Sequence, residues 1–175
     1  MTPLTRRHAL FAAAALPVLP LAGPAMAGAD KQGPATARFH RFALGEFEVT
    51  TLLAGSSPRD KPQETFGLNV SEAEFKAASE AAFIPSDKTM FFFTPTLVNT
   101  GAELVLFDTG MDPASITEAL AAAGIAPDQI DTVVLTHMHG DHIGGLSGDA
   151  GPTFAKARYV TGAIEHNHWS GAANE

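Results

Sequence analysis

From residue 39 onward, short apolar runs alternate with polar or glycine-bearing breaks, and the spacing within each run predicts an element. Residues 39–44 and 47–54, joined by Gly45-Glu46, read as a hairpin in which Phe47, Val49, Thr51 and Leu53 form the apolar face, and they open an antiparallel sheet edge. Residues 55–67 hold two prolines and mixed charge without a period, so they read as a loop. Ser71 followed three positions later by Glu74 is the signature of a capping box, and Ala73, Ala77, Ala78, Ala81 and Ala82 carry a helix to about Phe83, beyond which Pro85 forbids it. Residues 90–99 and 103–107 are apolar runs divided by the turn signal Asn99-Thr100-Gly101, and predict two buried strands. Asp112 then caps a helix beginning at Pro113, with Ile116, Ala119, Leu120 and Ala123 on one stripe and Gly124 at its end. Residues 132–136 form a third apolar run. Strand, helix and strand over this length describe a right-handed crossover, so 103–107 and 132–136 run parallel and end on one rim, where Asp108 and His137 begin their loops. In open α/β sheets ligands collect at that rim.

Before residue 39 the pattern is different. The first 27 residues contain Arg6, Arg7 and His8 and no acid, followed by an uncharged stretch over 9–29 rich in Ala, Leu and Pro, which is the anatomy of an export signal. Thr5-Arg6-Arg7-His8-Ala9-Leu10 resembles the twin-arginine export box, with Ala9 where that box usually has Phe, and Ala25-Met26-Ala27 fits a cleavage site. A membrane anchor needs about 20 continuous apolar residues, which Pro17, Pro20 and Pro24 interrupt. The expectation is therefore a leader over 1–27, a flexible lead-in over 28–37 and a folded portion over 38–175, exported to the periplasm or beyond by the twin-arginine route, with no stable membrane anchor after cleavage.

Composition narrows the chemistry. At 175 residues and 45% hydrophobic, the chain has enough apolar material for one core. Its net charge of -8, from 11 basic and 19 acidic residues, becomes -10 when the two leader arginines go, and gives no basis for gripping nucleic acid phosphates. Zero cysteines remove disulfides, thiolate metal sites and thiol nucleophiles, leaving His, Asp and Glu as the strong metal ligands.

Those ligands are concentrated in one place. Directly after the third apolar run stands His137-Met138-His139-Gly140-Asp141-His142, three imidazoles and a carboxylate within six residues. Such donors bind borderline cations such as zinc, and a short loop at a strand end can aim alternate side chains at one point. His137 and His139 suit one metal, and a bend at Gly140 turns Asp141 and His142 toward a second position. Gly140, Gly144 and Gly145 suit close backbone approach and unusual dihedrals, and equally well ordinary turns. Asp108 reads either as a residue that positions the His loop or as a turn aspartate ending its strand. Phe91, Phe92 and Phe93 offer an aromatic wall, although adjacent strand residues face opposite ways and such clusters are usually core. His166 and His168, two apart on a helix predicted after Gly162, point to different faces and read as exposed helix histidines rather than ligands.

The His loop resembles the His-x-His-x-Asp-His signature of the metallo-β-lactamase-fold hydrolases, and Asp108-Thr109-Gly110 resembles the Asp-Thr-Gly turn that precedes it there. Across 39–169, including Leu44-Gly45-Glu46-Phe47-Glu48-Val49 and Leu97-Val98-Asn99-Thr100-Gly101, the chain is similar to the methyl parathion hydrolase and acyl-homoserine-lactone lactonase branch. The resemblance implies an α/β fold of αββα sandwich type and two divalent metal ions, zinc first, with manganese, cobalt or iron acceptable. One ion would be held by His137 and His139, the other by Asp141 and His142, with Asp141 the catalytic carboxylate ligand and Asp108 behind the ligands. A bridging hydroxide would attack a small-molecule ester, lactone or phosphotriester. Trp169 would line the substrate pocket, against the plain reading of a single Trp as core packing.

In that family further ligands follow the signature at a distance, and none has a counterpart here before Glu175. The resemblance therefore implies the N-terminal portion of a longer hydrolase, weak in metal binding and in activity by itself, with a homodimer left open. Two readings compete with it: an exported, non-catalytic metal-binding module, and a two-His-one-carboxylate iron oxygenase starting at His139-Gly140-Asp141, which would sit on an all-β jelly roll.

Overall fold

The structure is a computed structural model that describes Gly33 and residues 35–171. The chain divides into Met1–Ala35 and Thr36–Glu175, and the fold below is that of the second unit. The expected leader, with Arg6, Arg7 and cleavage after Ala27, lies outside the described residues, as does most of the 28–37 lead-in. Among the described residues no helix is long and apolar enough to cross a membrane.

Strands β1 (Phe39–Leu44) and β2 (Phe47–Leu52) form the predicted hairpin, turning at Gly45 with a φ of 62° that glycine adopts without strain. The buried face of β2 is not the expected one. Thr50 and Leu52 join Val49 in burial, Thr51 is half-buried, and Phe47 is 47% exposed. Arg41 explains the polar residue inside: its Nε donates to Thr50 Oγ1 at 2.9 Å while its guanidinium reaches the Ala123 carbonyl at 2.8 Å. Threonine thereby occupies a core position with its hydroxyl satisfied.

Part of the expected loop over 55–67 is structured. β3 (Gly55–Asp60) pairs antiparallel with β4 (Lys88–Phe93), from Gly55 opposite Phe93 to Asp60 opposite Lys88, and α1 (Gln63–Phe66) follows it. The β3 sequence has no apolar alternation, so its strand state comes from its partner, and Pro58 is tolerated because a two-stranded ribbon leaves an outer edge. Helix α2 (Glu72–Ala81) carries the expected capping box, with Ser71 Oγ accepting from the Glu74 amide and Glu74 Oε2 from the Ser71 amide. It ends at Ala81 with Ala82 as its cap, before Phe83, whose φ is 58° and which is 96% exposed. The expected strand over 90–99 is two strands, β4 and β5 (Thr96–Asn99), parted at Thr94-Pro95 where proline removes a ladder donor.

β6 (Leu104–Phe107), α3 (Pro113–Ala122), a 3₁₀ turn at Pro127–Gln129 and β7 (Thr132–Leu135) make the predicted crossover, with β6 and β7 parallel. After them come α4 (Gly140–Ile143), the short pair β8 (Ser147–Gly148) and β9 (Gly151–Pro152), β10 (Arg158–Thr161) and α5 (Ala163–Trp169). The main sheet runs β1-β2-β5-β6-β7-β10, antiparallel up to β6 and parallel from β6 to β10.

The register sets Thr50, Leu97, Leu106 and Val133 in one row across the sheet, each no more than 2% exposed. Onto that face α3 lays Ile116, Ala119 and Leu120, all fully buried and on the predicted stripe. Burying each of the two larger side chains contributes about 1.5–3 kcal/mol. The other face, with Val49, Val98 and Val105 in one row and Phe107, Val134 and Val160 in the next, is only partly covered, and Phe42, Leu44 and Val160 are 41%, 62% and 43% exposed. The described residues thus build one helix layer on one sheet. The parallel crossover is not the architecture of a jelly roll, which removes the iron-oxygenase reading.

Candidate metal centre

The site forms because β7 runs out at Leu135 and the chain bends at Thr136, then reaches His139, whose φ and ψ are -73° and 153°, before turning into the single helical turn of α4 at Gly140. Two residues apart in this loop, His137 and His139 lie on one side of it, with ring centroids 4.6 Å apart. The helical turn brings His142 back over His137, with 3.8 Å between ring centroids, and leaves Asp141 Oδ2 3.5 Å from His142 Nε2. The four signature side chains are therefore gathered at the carboxyl ends of parallel strands. Among the described residues no three His, Asp or Glu side chains close into a metal cage. Neighbouring polar groups engage the ring nitrogens instead: Thr136 Oγ1 lies 3.2 Å from His137 Nδ1 and 3.3 Å from His142 Nδ1.

Asp108 ties the two loops of the rim together. Its φ of 60° places it in the left-handed region, which Asp tolerates better than most residues, and its amide still donates to the Val134 carbonyl at 2.9 Å. Oδ1 accepts the Thr136 amide at 2.8 Å, and Oδ2 takes both the Thr136 hydroxyl and His142 Nδ1 at 2.8 Å. A carboxylate only accepts, so Nδ1 of His142 carries the hydrogen toward Asp108, which leaves Nε2 as the ring's outward nitrogen, 3.5 Å from Asp141 Oδ2. Buried Thr109 grips the same loop, its amide and hydroxyl donating to the His142 carbonyl at 2.8 and 2.9 Å. The glycines divide by role. A Cβ at Gly144 would strike the Met111 carbonyl and one at Gly145 the Thr109 carbonyl, so both permit close approach, whereas Gly140 faces open space; none of the three has a positive φ.

Two residues of the last helix meet the loop from the far side. Glu165 Oε1 accepts the Met138 amide at 2.8 Å and the Trp169 indole at 2.7 Å. The Met138 hydrogen bond chiefly, helped by the Trp169 indole and the nearby His137 and His168 imidazoles, holds its carboxyl below the usual range against burial. The indole of Trp169 stands edge-on to His139 at 6.1 Å and is 41% exposed, so it flanks the histidines and is not core packing. Phe92 and Phe93 share a small cleft of about 140 Å³ with Asp108, Asp141 and His142, while Phe91 packs on Phe66 at 5.3 Å. His166 and His168 are exposed on α5, His168 edge-on to Trp169 at 5.3 Å. Sequence reasoning missed Glu165; its only local signal is the four-residue spacing to Trp169, which places the pair on one helix face.

The fold matches that of metallo-β-lactamase proteins. Residues 94–171 match the Metallo-beta-lactamase superfamily profile, and the chain carries a domain of that superfamily there. Among solved structures it is similar to AidC, described as a dizinc quorum-quenching lactonase, at 28% identity and a TM-score of 0.69 over 75% of this chain and 47% of that one. It shares its fold with the hydrolase AbOPH, described as in the beta lactamase superfamily, at 24% identity and a TM-score of 0.70 over 81% of this chain and 50% of that one. Among curated proteins it is 46% identical over 54 residues to lactamase-like protein adaB of Aspergillus niger, covering 29% of this chain and 16% of that protein. It is also 50% identical over 44 residues to metallo-beta-lactamase domain-containing protein 1 of Mus musculus, covering 24% and 17%. The chain thus spans about half the length of these solved chains and a smaller share of the curated relatives.

Proposed function

We propose that this chain carries the metal-binding loop of a metal-dependent hydrolase acting on a small-molecule ester, lactone or phosphotriester. The observation that supports this reading most is the gathering of His137, His139, Asp141 and His142 at the strand ends, with His142 already held by Asp108 so that Nε2 is presented. Two imidazoles for one cation, and an imidazole with a carboxylate for a second, are donors of the kind that divalent cations of this class take, zinc first and manganese, cobalt or iron as alternatives. Bound cations would supply acidified water and polarise the electrophilic oxygen under attack. The protein's own share is orientation. Asp108 sets the tautomer and direction of His142, Thr109 fixes the loop backbone, and Phe92, Phe93 and Trp169 form apolar walls beside the polar cluster.

The likeness to a dizinc lactonase at 28% identity supports both the metal and the lactone among these substrates. The test is calorimetric titration of zinc into the wild-type chain and into His139→Ala. Binding that disappears in the variant is expected, and unchanged binding would remove His139 from the site. A panel containing a lactone, a carboxylic ester and a phosphotriester then assigns the substrate class.

Export is proposed from Arg6 and Arg7 together with the uncharged stretch after them. Replacing both arginines by lysine is expected to leave the protein in the cytoplasmic fraction; periplasmic protein at the wild-type level would refute the twin-arginine route.

A further inference from the structure

The His loop is held on one side by Asp108 and Thr109, which act on Thr136 and His142. Its middle, the Met138 peptide between the first two histidines, has a different support. Met138 leaves β7's ladder with its amide pointing at α5, and the acceptor there is the carboxylate of Glu165, 27 residues further along the chain. The same oxygen accepts the indole hydrogen of Trp169, one helical turn onward, whose ring stands perpendicular to that of His139 at 6.1 Å. One carboxylate oxygen therefore joins the loop backbone, the α5 helix and the aromatic group beside a candidate ligand.

From this geometry we propose that Glu165 is a positioning residue of the metal centre: it fixes the rotation of the Met138 peptide, and with it the directions of His137 and His139, and it locks Trp169 against His139. A short loop outside regular secondary structure keeps its backbone rotations unless its polar groups are engaged. His137 and His139 flank the one residue whose amide Glu165 anchors, so losing the anchor frees the backbone dihedrals on either side of it and, with them, the directions of both imidazoles. A charged acceptor is suited to the task because its hydrogen bonds are shorter and stronger than those of a neutral one. Loss of the anchor leaves the donors present but poorly aimed, and outer partners of this kind typically change metal affinity about 10- to 100-fold.

The inference rests on the metal-site reading for its functional consequence, and on the Met138 hydrogen bond alone for its structural one, so two measurements separate them. The first is hydrogen exchange of backbone amides in the metal-free full chain. In Glu165→Ala the Met138 amide is expected to exchange at least about ten-fold faster, with the amides of β7 unchanged, and Glu165→Gln, which keeps an acceptor oxygen, is expected to restore most of the protection. The second is cobalt titration followed by calorimetry and by the emission of Trp169, the single tryptophan of the chain. Affinity about ten-fold weaker in Glu165→Ala, a shifted Trp169 emission before metal is added, and near-wild-type behaviour in Glu165→Gln are expected. Glu165→Met, which keeps the length of the side chain without an acceptor, replaces the alanine variant should that one fail to fold. Equal Met138 exchange in wild type and the acceptor-less variant overturns the proposal, as does equal cobalt affinity in the two. Absence of cobalt binding in the wild type overturns the metal-site reading, while the exchange result still decides whether Glu165 fixes the loop.

Discussion

A single carboxylate at a strained position often reveals more about a site than the ligands themselves, and Asp108 is such a residue. A φ of 60° costs a non-glycine residue conformational energy, and here the three contacts of its side chain with Thr136 and His142 hold it there. Asp108→Ala is expected to weaken zinc binding about 10- to 100-fold while leaving all four candidate ligands in place, measured by competition with a chromophoric chelator. Much of this was legible in advance: the spacing of Asp108 and His137 behind two parallel strands put them on one rim. Glu165 was not, because a Glu in an exposed helix turn is ordinary, and only the return of α5 to the His loop brings its carboxylate to the Met138 amide. Nor did the sequence decide between pocket and core for Trp169, since composition says nothing about which side of a helix meets a rim.

At the level of elements, local chemistry predicted helices better than strands. Both caps stand where Ser71 and Asp112 place them, because a cap is a short-range hydrogen bond written into neighbouring residues. Strand β3 has no such local code, and the buried face of β2 turned on an Arg41 side chain reaching across the hairpin. Asp112 also gives α3 a pH dependence. The Ser115 hydroxyl and amide, against a smaller opposing effect of burial, lower its pKa, so the cap stabilises the fold above the unfolded value and its contribution is lost as pH falls below about 4 through the folded value. Asp112→Ala should therefore cost about 1 kcal/mol near neutrality, in denaturant titrations, and the difference from wild type should shrink toward pH 3.

For the fold as a whole, the described residues cover one side of the sheet more fully than the other. Helix α3 seals the face carrying Leu97, Leu106 and Val133, and the hairpin end of the opposite face leaves Phe42, Leu44 and Phe47 substantially in water. The apolar runs marked buried strands, but not how far the described residues would cover each face of the sheet. Native folds keep only a modest margin of stability, so interactions at the rim weigh heavily in the total.

The link between Asp108 and His142 spans the whole β6-α3-β7 crossover. An ion captured by the His loop would therefore act as a clasp across that unit, and its grip would be felt far from the rim as resistance to melting. Zinc at about a hundred times its dissociation constant is worth about 2.7 kcal/mol to the folded chain. Calorimetric scans should show the transition rise with added zinc and fall back when a chelator strips it away. The same scans on His139→Ala should stay flat, which would turn a thermometer into a gauge of occupancy.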